Sequence, residues 1–182
     1  APLPRIVLAV VQSIDRTDFL AAVRRSRALH RPWCAPPATI AAFDEWLVRS
    51  STPRFCNFLL RLAATDELVG VVNASEIVRG SFQSAYLGYY AFEPFAGRGL
   101  MSVGLSMVID QLLGRNGLHR LEANIQPSNE SSRRLVQRLG FRLEGYSPRY
   151  LKIAGRWRDH ERWALLAEEW RGRRSRAAPA LD

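Results

Sequence analysis

Apolar residues along this chain switch between two-residue and three-to-four-residue spacing, and each switch marks a change between strand and helix. Arg5 to Val11 reads as a strand. Asp15 stands where a cap belongs, ahead of a helix carrying Phe19, Leu20 and Val23 toward Leu29, with Asp18 in its first turn. Arg31-Pro32-Trp33 stops that helix and Ala35-Pro36-Pro37 turns the chain. From about Thr39, the residues Ile40, Phe43, Trp46 and Leu47 recur at helical spacing. Three β segments follow, about Phe55 to Ala63, Leu68 to Val78 and Tyr86 to Phe92, separated by Thr65-Asp66-Glu67 and Arg79-Gly80-Ser81, and they read as an antiparallel meander. Leu100 to about Leu113 is a helix with Leu105, Met107, Val108, Ile109 and Leu112 on a broad apolar face, ended by Gly114 or Asn116-Gly117. Leu118 to Ile125 is a strand, Asn129 to Leu139 a helix, and Phe141 to Ile153 with Arg156 to Leu166 a β pair turning at Ala154-Gly155. A β-α-β-α unit after an antiparallel meander predicts an α/β fold: a mixed, mostly antiparallel sheet of about seven strands with helices on both faces.

The 182 residues, 47% of them hydrophobic, suffice for one well-buried domain, and neither a linker nor a repeat divides them. No apolar run reaches the length of a membrane span, and Ala1 to Val11 lacks the pattern of a secretion signal, so the expectation is a soluble, cytoplasmic protein with no membrane partner. Cys34 and Cys56 have no metal-like spacing, and His30, His119 and His160 form no ligand pattern; free thiols and no metal are expected. The net charge of +9 rests almost wholly on arginine, since Lys152 is the single lysine. Such a surface attracts anionic ligands, nucleic acid or a ribonucleoprotein and repels polycations. Part of the charge lies in Arg171, Arg173, Arg174 and Arg176, within a segment 168–182 expected to be a solvated, frayed tail.

The segment from Phe92 to Val103 carries the strongest chemical signal. A glycine-rich turn, Gly97-Arg98-Gly99, leaves an apolar β run and opens directly into a helix. First-turn N–H groups and the helix dipole favour anionic oxygens, and glycine lets a ligand approach the main chain. The turn has neither the Gly-Lys-Ser/Thr ending of a nucleoside triphosphatase nor the third glycine of a dinucleotide fold.

That element order, with its glycine turn after the fourth strand, resembles the GNAT superfamily of N-acetyltransferases, and most closely the ribosomal-protein-alanine N-terminal acetyltransferase group. The strings that carry the likeness are Gly99-Leu100-Met101; His119-Arg120-Leu121-Glu122-Ala123-Asn124; Pro127-x-Asn129-x-x-Ser132; Leu139-Gly140-Phe141-x-x-Glu144-Gly145-Tyr146; and Gly155-x-Trp157-x-Asp159-His160. Arg31-Pro32-Trp33 fits as well, and the similarity covers about residues 5 to 167. The resemblance implies an acetyl-coenzyme A dependent acyltransferase without a metal. The superfamily pattern of Arg or Gln, two residues, Gly, one residue, Gly or Ala falls here on Ala96, Gly99 and Met101, so two of three positions depart. Backbone N–H groups of residues 97–101 then carry the pyrophosphate, with Arg98 adding charge. Cofactor contacts are thus expected at Phe92, Glu93, Gly97, Arg98, Gly99, Leu100, Met101 and Asn129, the β run splaying near Phe92 to Pro94.

By the same resemblance, Asn129 binds the pantetheine and Ser132 donates to the sulfur, although helix capping explains both residues equally well. Residues 147–151 hold no carboxylate, which leaves Glu122, and then Glu76, as candidate bases. Either also suits pairing with an arginine. An α-amine titrates near 7.7 to 8.0 against about 10.4 for lysine, so weak base machinery favours an N-terminal amine. Trp33, Tyr90 and Trp157 are the expected acceptor wall. Three readings stay open: acetylation of a protein N-terminal α-amine, of the ribosomal-protein type; acetylation of a small amine or amino acid; and a non-catalytic, ribosome- or RNA-associated protein that keeps the fold, as monomer or homodimer. The aromatic-basic motif of an RNA-recognition sheet is absent.

Overall fold

Period-two alternation in β2 (Cys56–Leu62) divides the interior, because Phe58 and Leu60 join one apolar cluster while Leu59 joins another. The structure is a computed structural model that describes residues 3–31 and 33–177. Around β2 stand β1 (Ile6–Val10), β3 (Leu68–Val78), β4 (Ser84–Ala91), β5 (Arg120–Ile125), β6 (Arg142–Ile153) and β7 (Arg156–Leu166). They form one sheet in the order β1-β2-β3-β4-β5-β7-β6. Every neighbouring pair is antiparallel except β4 with β5.

Helices α1 (Arg16–Arg25), α2 (Arg27–His30) and α3 (Ile40–Ser50) follow β1. Phe19, Phe43 and Trp46 of α1 and α3 meet Leu59, Val71 and Phe92 of the sheet, with ring centroids 5.0 to 5.8 Å apart around Phe19. The opposite face carries α4 (Leu100–Ile109), which continues as a π-helical segment Asp110–Arg115, and α5 (Glu130–Leu139). Their Leu105, Val108, Leu112, Val136 and Leu139 bury Phe58, Leu60, Val72, Leu87, Leu121 and Trp163. Each such side chain contributes about 1.5–3 kcal/mol on leaving water.

The expected element order holds, with three differences. The first long helix breaks at Ser26, whose buried Oγ accepts a hydrogen bond from the Glu93 N–H at 2.9 Å. Asp15 does not cap that helix. Its carboxylate accepts from the Gln12 N–H and from Arg61, which is 7% exposed and also bonds Asp66. A buried guanidinium requires such partners, so Asp15 serves the loops at the edge of the sheet. Third, residues 168–177 of the segment expected to fray belong to α6 (Ala167–Ala177). Trp170 anchors it: the ring is 7% exposed and its indole N–H donates to Asp110 at 2.7 Å. Pro32 and residues 178–182, part of the expected stop signal and tail, lie outside the described residues.

Gly104 lets α4 lie close on the sheet, for a Cβ there would collide with the Leu60 side chain, which has no exposed surface into which to retreat. Ala in place of Gly gains about 1 kcal/mol of helix propensity, whereas overpacking costs about 1–3 kcal/mol. Gly104→Ala is therefore expected to lower the melting temperature by several degrees, as read by calorimetry; an unchanged or raised value contradicts this close packing.

Candidate active site

The site originates in a short strand pairing. β4 and β5 pair in parallel only from Ser84 with Arg120 to Leu87 with Ala123, and beyond that the strands part. The backbone of Gly88 to Ala91 keeps its pairing to β3 but has no strand partner on the β5 side. A cavity of about 1120 Å³ occupies the opening. Since alternate residues of a strand face opposite ways, β4 sends Tyr89 toward the α4 and α5 side and Gly88 and Tyr90 toward the α1 to α3 side. The cavity thus passes through the sheet and has two chambers.

The α4 chamber begins at the glycine turn. Gly97 and Gly99 adopt left-handed backbone, φ +74° and +79°, and Gly99 is the residue at which α4 starts. Both line the cavity with Met101 and Ser102. A Cβ at Gly97 or at Gly88 would meet nothing within 4 Å, so both glycines leave open space. Met101 replaces the small residue of the superfamily pattern by lying against Gly70 of β3, where a Cβ would fall 2.5 Å from its sulfur. A helix N-terminus, open glycines and Arg138, a cavity-lining cation of α5, fit a pyrophosphate-bearing ligand. Sequence reasoning missed Arg138, whose place three residues after Leu135 on the cavity side of α5 was its only signal.

Two expected cofactor residues are elsewhere. Phe92 has no exposure; its N–H donates to the Val69 carbonyl at 2.8 Å and its own carbonyl accepts from Phe95 at 2.8 Å. Glu93 has both main-chain groups bonded, its carbonyl to Arg25 and its N–H to Ser26. The splay lies at Gly88 to Ala91, not at Phe92 to Pro94, because pairing to β5 ends at Leu87. Leu100 is buried in the core, so only its main chain remains to face a ligand, and exposed Arg98 lies over the Phe95 ring outside the lining.

At the start of α5 the capping and ligand-facing roles coincide. The Asn129 Oδ1 accepts from the Ser132 N–H at 3.2 Å and from Ser131 Oγ at 3.2 Å, yet Asn129 and Ser132 both line the cavity. The Ser132 Oγ is 2.7 Å from the Tyr89 hydroxyl. Burial pushes the Tyr89 phenol well above its ordinary range, with the Ser132 hydrogen bond opposing it only in part. The phenol keeps its proton at neutral pH.

In the second chamber stand Trp33, Tyr90, Tyr86 and Tyr150, with His30, Cys34, Asn124 and His160 among them. Trp33 and Tyr90, two of the expected acceptor-wall residues, line the cavity. Trp157 does not: it is 61% exposed on the outside of the β6–β7 hairpin. Glu122 is also away from the lining. Arg120 donates to it at 2.8 Å and ties it to Glu144, so its carboxylate is engaged in an ion-pair network away from the cavity. Glu76 does line the cavity, on a β-bulge with φ +49°, and pairs with Arg54.

Two histidines remain. Burial lowers both below their ordinary value and keeps them neutral. His160 Nδ1 is 2.9 Å from the Arg158 carbonyl, and a carbonyl only accepts, so the proton is on Nδ1 and the Nε2 lone pair is free. By the same reasoning His30 donates through Nε2 to the Ala91 carbonyl at 2.6 Å, leaving Nδ1 a buried acceptor without a partner.

A family profile described as "Acetyltransferase (GNAT) domain" matches residues 5–142. The chain belongs to the GNAT acetyltransferases. This acetyltransferase is 44% identical over 179 residues to the [ribosomal protein uS5]-alanine N-acetyltransferase of Escherichia coli (strain K12), spanning 91% of this chain and 90% of that protein. It is 36% identical to the probable N-acetyltransferase YjcK of Bacillus subtilis (strain 168), over 70% of this chain and 68% of that one. Among solved structures, RimJ of Mycobacterium smegmatis in complex with CoA-disulfide superposes with a TM-score of 0.82 at 27% identity, covering 90% of this chain and 83% of that one. The ribosomal-protein-S5-alanine acetyltransferase of Vibrio fischeri gives 0.80 at 26%, covering 93% and 97%. Among the described residues no helix of this acetyltransferase is long and apolar enough to cross a membrane, and no group of His, Cys, Asp and Glu is placed to hold a metal.

The Cys34 thiol is pushed up to about 12 from 9.0 by burial alone, which cuts its thiolate about a thousandfold at any pH below 9. Iodoacetamide at pH 8 is expected to leave Cys34 unmodified in the native enzyme and to alkylate it after unfolding, as followed by peptide mass. Rapid native alkylation at Cys34 would refute a thiol held in its protonated form in the chamber wall.

Proposed function

We propose that the enzyme transfers acetyl from acetyl-coenzyme A to the α-amine of a protein N-terminus, of the ribosomal-protein type, in the cytoplasm. The observation that carries this reading is the 44% identity along 91% of the chain to a uS5-alanine enzyme, joined to a chamber that suits one neutral amine. Of the described lining residues only Glu76 bears a carboxylate, and it is already paired with Arg54. A polyamine or aminoglycoside carries several ammonium groups and needs several carboxylates. A single α-amine needs acceptors, and His30 Nδ1 and Asn124 Oδ1 are buried acceptors without partners on lining residues.

When bound, the cosubstrate supplies an acyl group activated as a thioester. Gly97 to Met101 and the first turn of α4 would hold its pyrophosphate, Arg138 would add charge, and Asn129 would face its pantetheine arm. The alternate main-chain N–H groups of Gly88 to Ala91 that do not face β3 border the opening, where they would oppose negative charge developing on a carbonyl oxygen. Proton traffic falls to three side chains. His160, neutral with a free Nε2, accepts a proton from the amine directly or through water. Either hydroxyl of the Tyr89–Ser132 pair can donate; in the arrangement in which the protonated Tyr89 donates to Ser132 Oγ, the serine proton is free to turn toward the sulfur and to pass to the departing thiolate. Ser132 is the catalytic residue of the pair and Tyr89 its positioning residue.

Ser132→Ala is expected to lower kcat by about 100-fold or more with little change in acetyl-coenzyme A affinity by calorimetry. Tyr89→Phe should lower kcat by about tenfold, and the double variant should be no slower than Ser132→Ala, since the two hydroxyls act as one unit. Additive losses would separate Tyr89 from the serine, and full turnover by Ser132→Ala would remove the serine from the chemistry.

The acceptor is tested by incubating the enzyme with acetyl-coenzyme A and peptides beginning with Ala, Ser or Met, against spermidine and single amino acids, with thiol release and peptide mass as readouts. Acetylation at the α-amine of the Ala peptide is expected. Turnover on the small amines alone overturns the reading.

A further inference from the structure

β7 pairs with β5 only from Glu161 to Leu166, so Arg156 to His160 pair with β6 alone and the hairpin projects as a two-stranded ribbon. Residues 147–160 hold four cations, Arg149, Lys152, Arg156 and Arg158, and one carboxylate, Asp159. All four cations are exposed, and none makes an ion pair among the described residues. Asp159 is occupied by the Tyr146 hydroxyl and by the Arg149 N–H at 2.7 Å.

Strand alternation sorts the ribbon into two faces. Trp157 stands opposite Lys152 on one face, its indole 61% exposed; Arg156 and Arg158 stand opposite Ile153 and Leu151 on the other. The second face is continuous with the cavity, which Tyr150, Leu151 and Ile153 line. Arg156 and Arg158 are two residues apart, hence about 6.6 Å along the strand, comparable with successive phosphates of an extended polynucleotide. Arg156, Trp157 and Arg158 are consecutive on β7, so the indole lies on one face beside Lys152 and the two guanidinium groups on the other. A polynucleotide following the edge of this narrow ribbon can stack an unpaired base on the indole while the charges hold its backbone.

We propose that this ribbon is a docking arm for single-stranded or looped RNA, placed so that the bound RNA lies beside the mouth of the acceptor chamber. RNA is the partner because the acceptor proposed above belongs to a ribonucleoprotein, and the inference rests on that reading for its choice of polymer. An unpaired strand is favoured over a duplex, whose stacked bases offer nothing to Trp157. The arm would let the enzyme address an N-terminus already seated on RNA, with the acceptor entering between Tyr150 and Trp33.

The test uses the full chain and a short fluorescein-labelled single-stranded RNA, with anisotropy read between about 50 and 200 mM salt. Four phosphate contacts at about −0.7 each give a ribbon contribution near −3 to the slope of log affinity against log salt. The variant R149Q/K152Q/R156Q/R158Q is expected to lose about that slope and at least about tenfold in affinity. Trp157→Ala should weaken binding about fivefold with the slope unchanged. All five positions are exposed, and circular dichroism melts verify that the variants fold. Unchanged RNA affinity and slope in the quadruple variant overturn the proposal. So does wild-type binding to anionic phospholipid vesicles or to a polyglutamate peptide that is as tight as to RNA, because the arm is then a membrane or acidic-protein contact. Peptide acetylation by the wild type is measured in parallel. RNA binding through the ribbon without peptide turnover defeats the acceptor reading and leaves the arm standing; turnover without such binding defeats the arm alone.

Discussion

One short parallel pairing governs the architecture. Strands β4 and β5 share four residue pairs and then separate, within a sheet whose other neighbours are all antiparallel. A parallel pair cannot be closed by a tight hairpin and needs a crossover. That crossover is α4, which must begin just beyond the end of β4, so the parallel pairing itself delivers a helix N-terminus to the opening it creates. Glu161 to Leu166 of β7 then pair with the whole of β5, so β5 cannot bend back to close the gap. The opening is thus built into strand order and does not depend on any single side chain.

Main-chain features of this kind were the legible ones. Gly97-Arg98-Gly99 between an apolar run and a helix announces a positive-φ turn before α4, and the structure has φ +74° and +79° there. Asn129 and Ser132 were legible because capping and ligand-facing demand the same first-turn spacing; the structure has the capping bond and sets both residues in the cavity lining. The position of the splay was not legible. An apolar run ending at Phe92 gives no sign that its last paired residue toward β5 is Leu87, since β4 stays paired to β3 through Ala91. Phe92 and Glu93 were thereby assigned to a ligand when their main-chain groups are already bonded within the fold.

Side-chain partnerships across long sequence separation were hidden for a different reason. Tyr89 meets Ser132 across 43 positions, and in the sequence it is one of several aromatics in an apolar strand. Glu122 looked available because its partner depends on strand alternation: Arg120, two residues before it, shares its face of β5 and donates to it. Trp157 lies beside a turn, as does Trp33, but Trp33 follows α2 and faces the cavity while Trp157 sits on the outward face of a two-stranded ribbon. Residue type and neighbourhood are equal in the two cases; the face decides, and it is fixed by register.

The same register explains how the chamber can work with weak acid-base equipment. Its two histidines are held neutral by burial, and the one carboxylate among the described lining residues is paired, so it offers no unpaired negative charge to an ammonium ion. An amine enters reactively only as the free base. Removing the proton from a lysine side chain rather than an α-amine costs about 2.4 pK units more, about 3 kcal/mol at neutral pH, and a chamber of this composition has no charge with which to offset that. An α-amine is already partly deprotonated in water. On the proposed reading, selectivity for chain termini would come from what the chamber lacks as much as from what it presents, with the main chain of β4 and the Tyr89–Ser132 hydroxyls on the donor side of the sheet and neutral aromatic walls on the acceptor side.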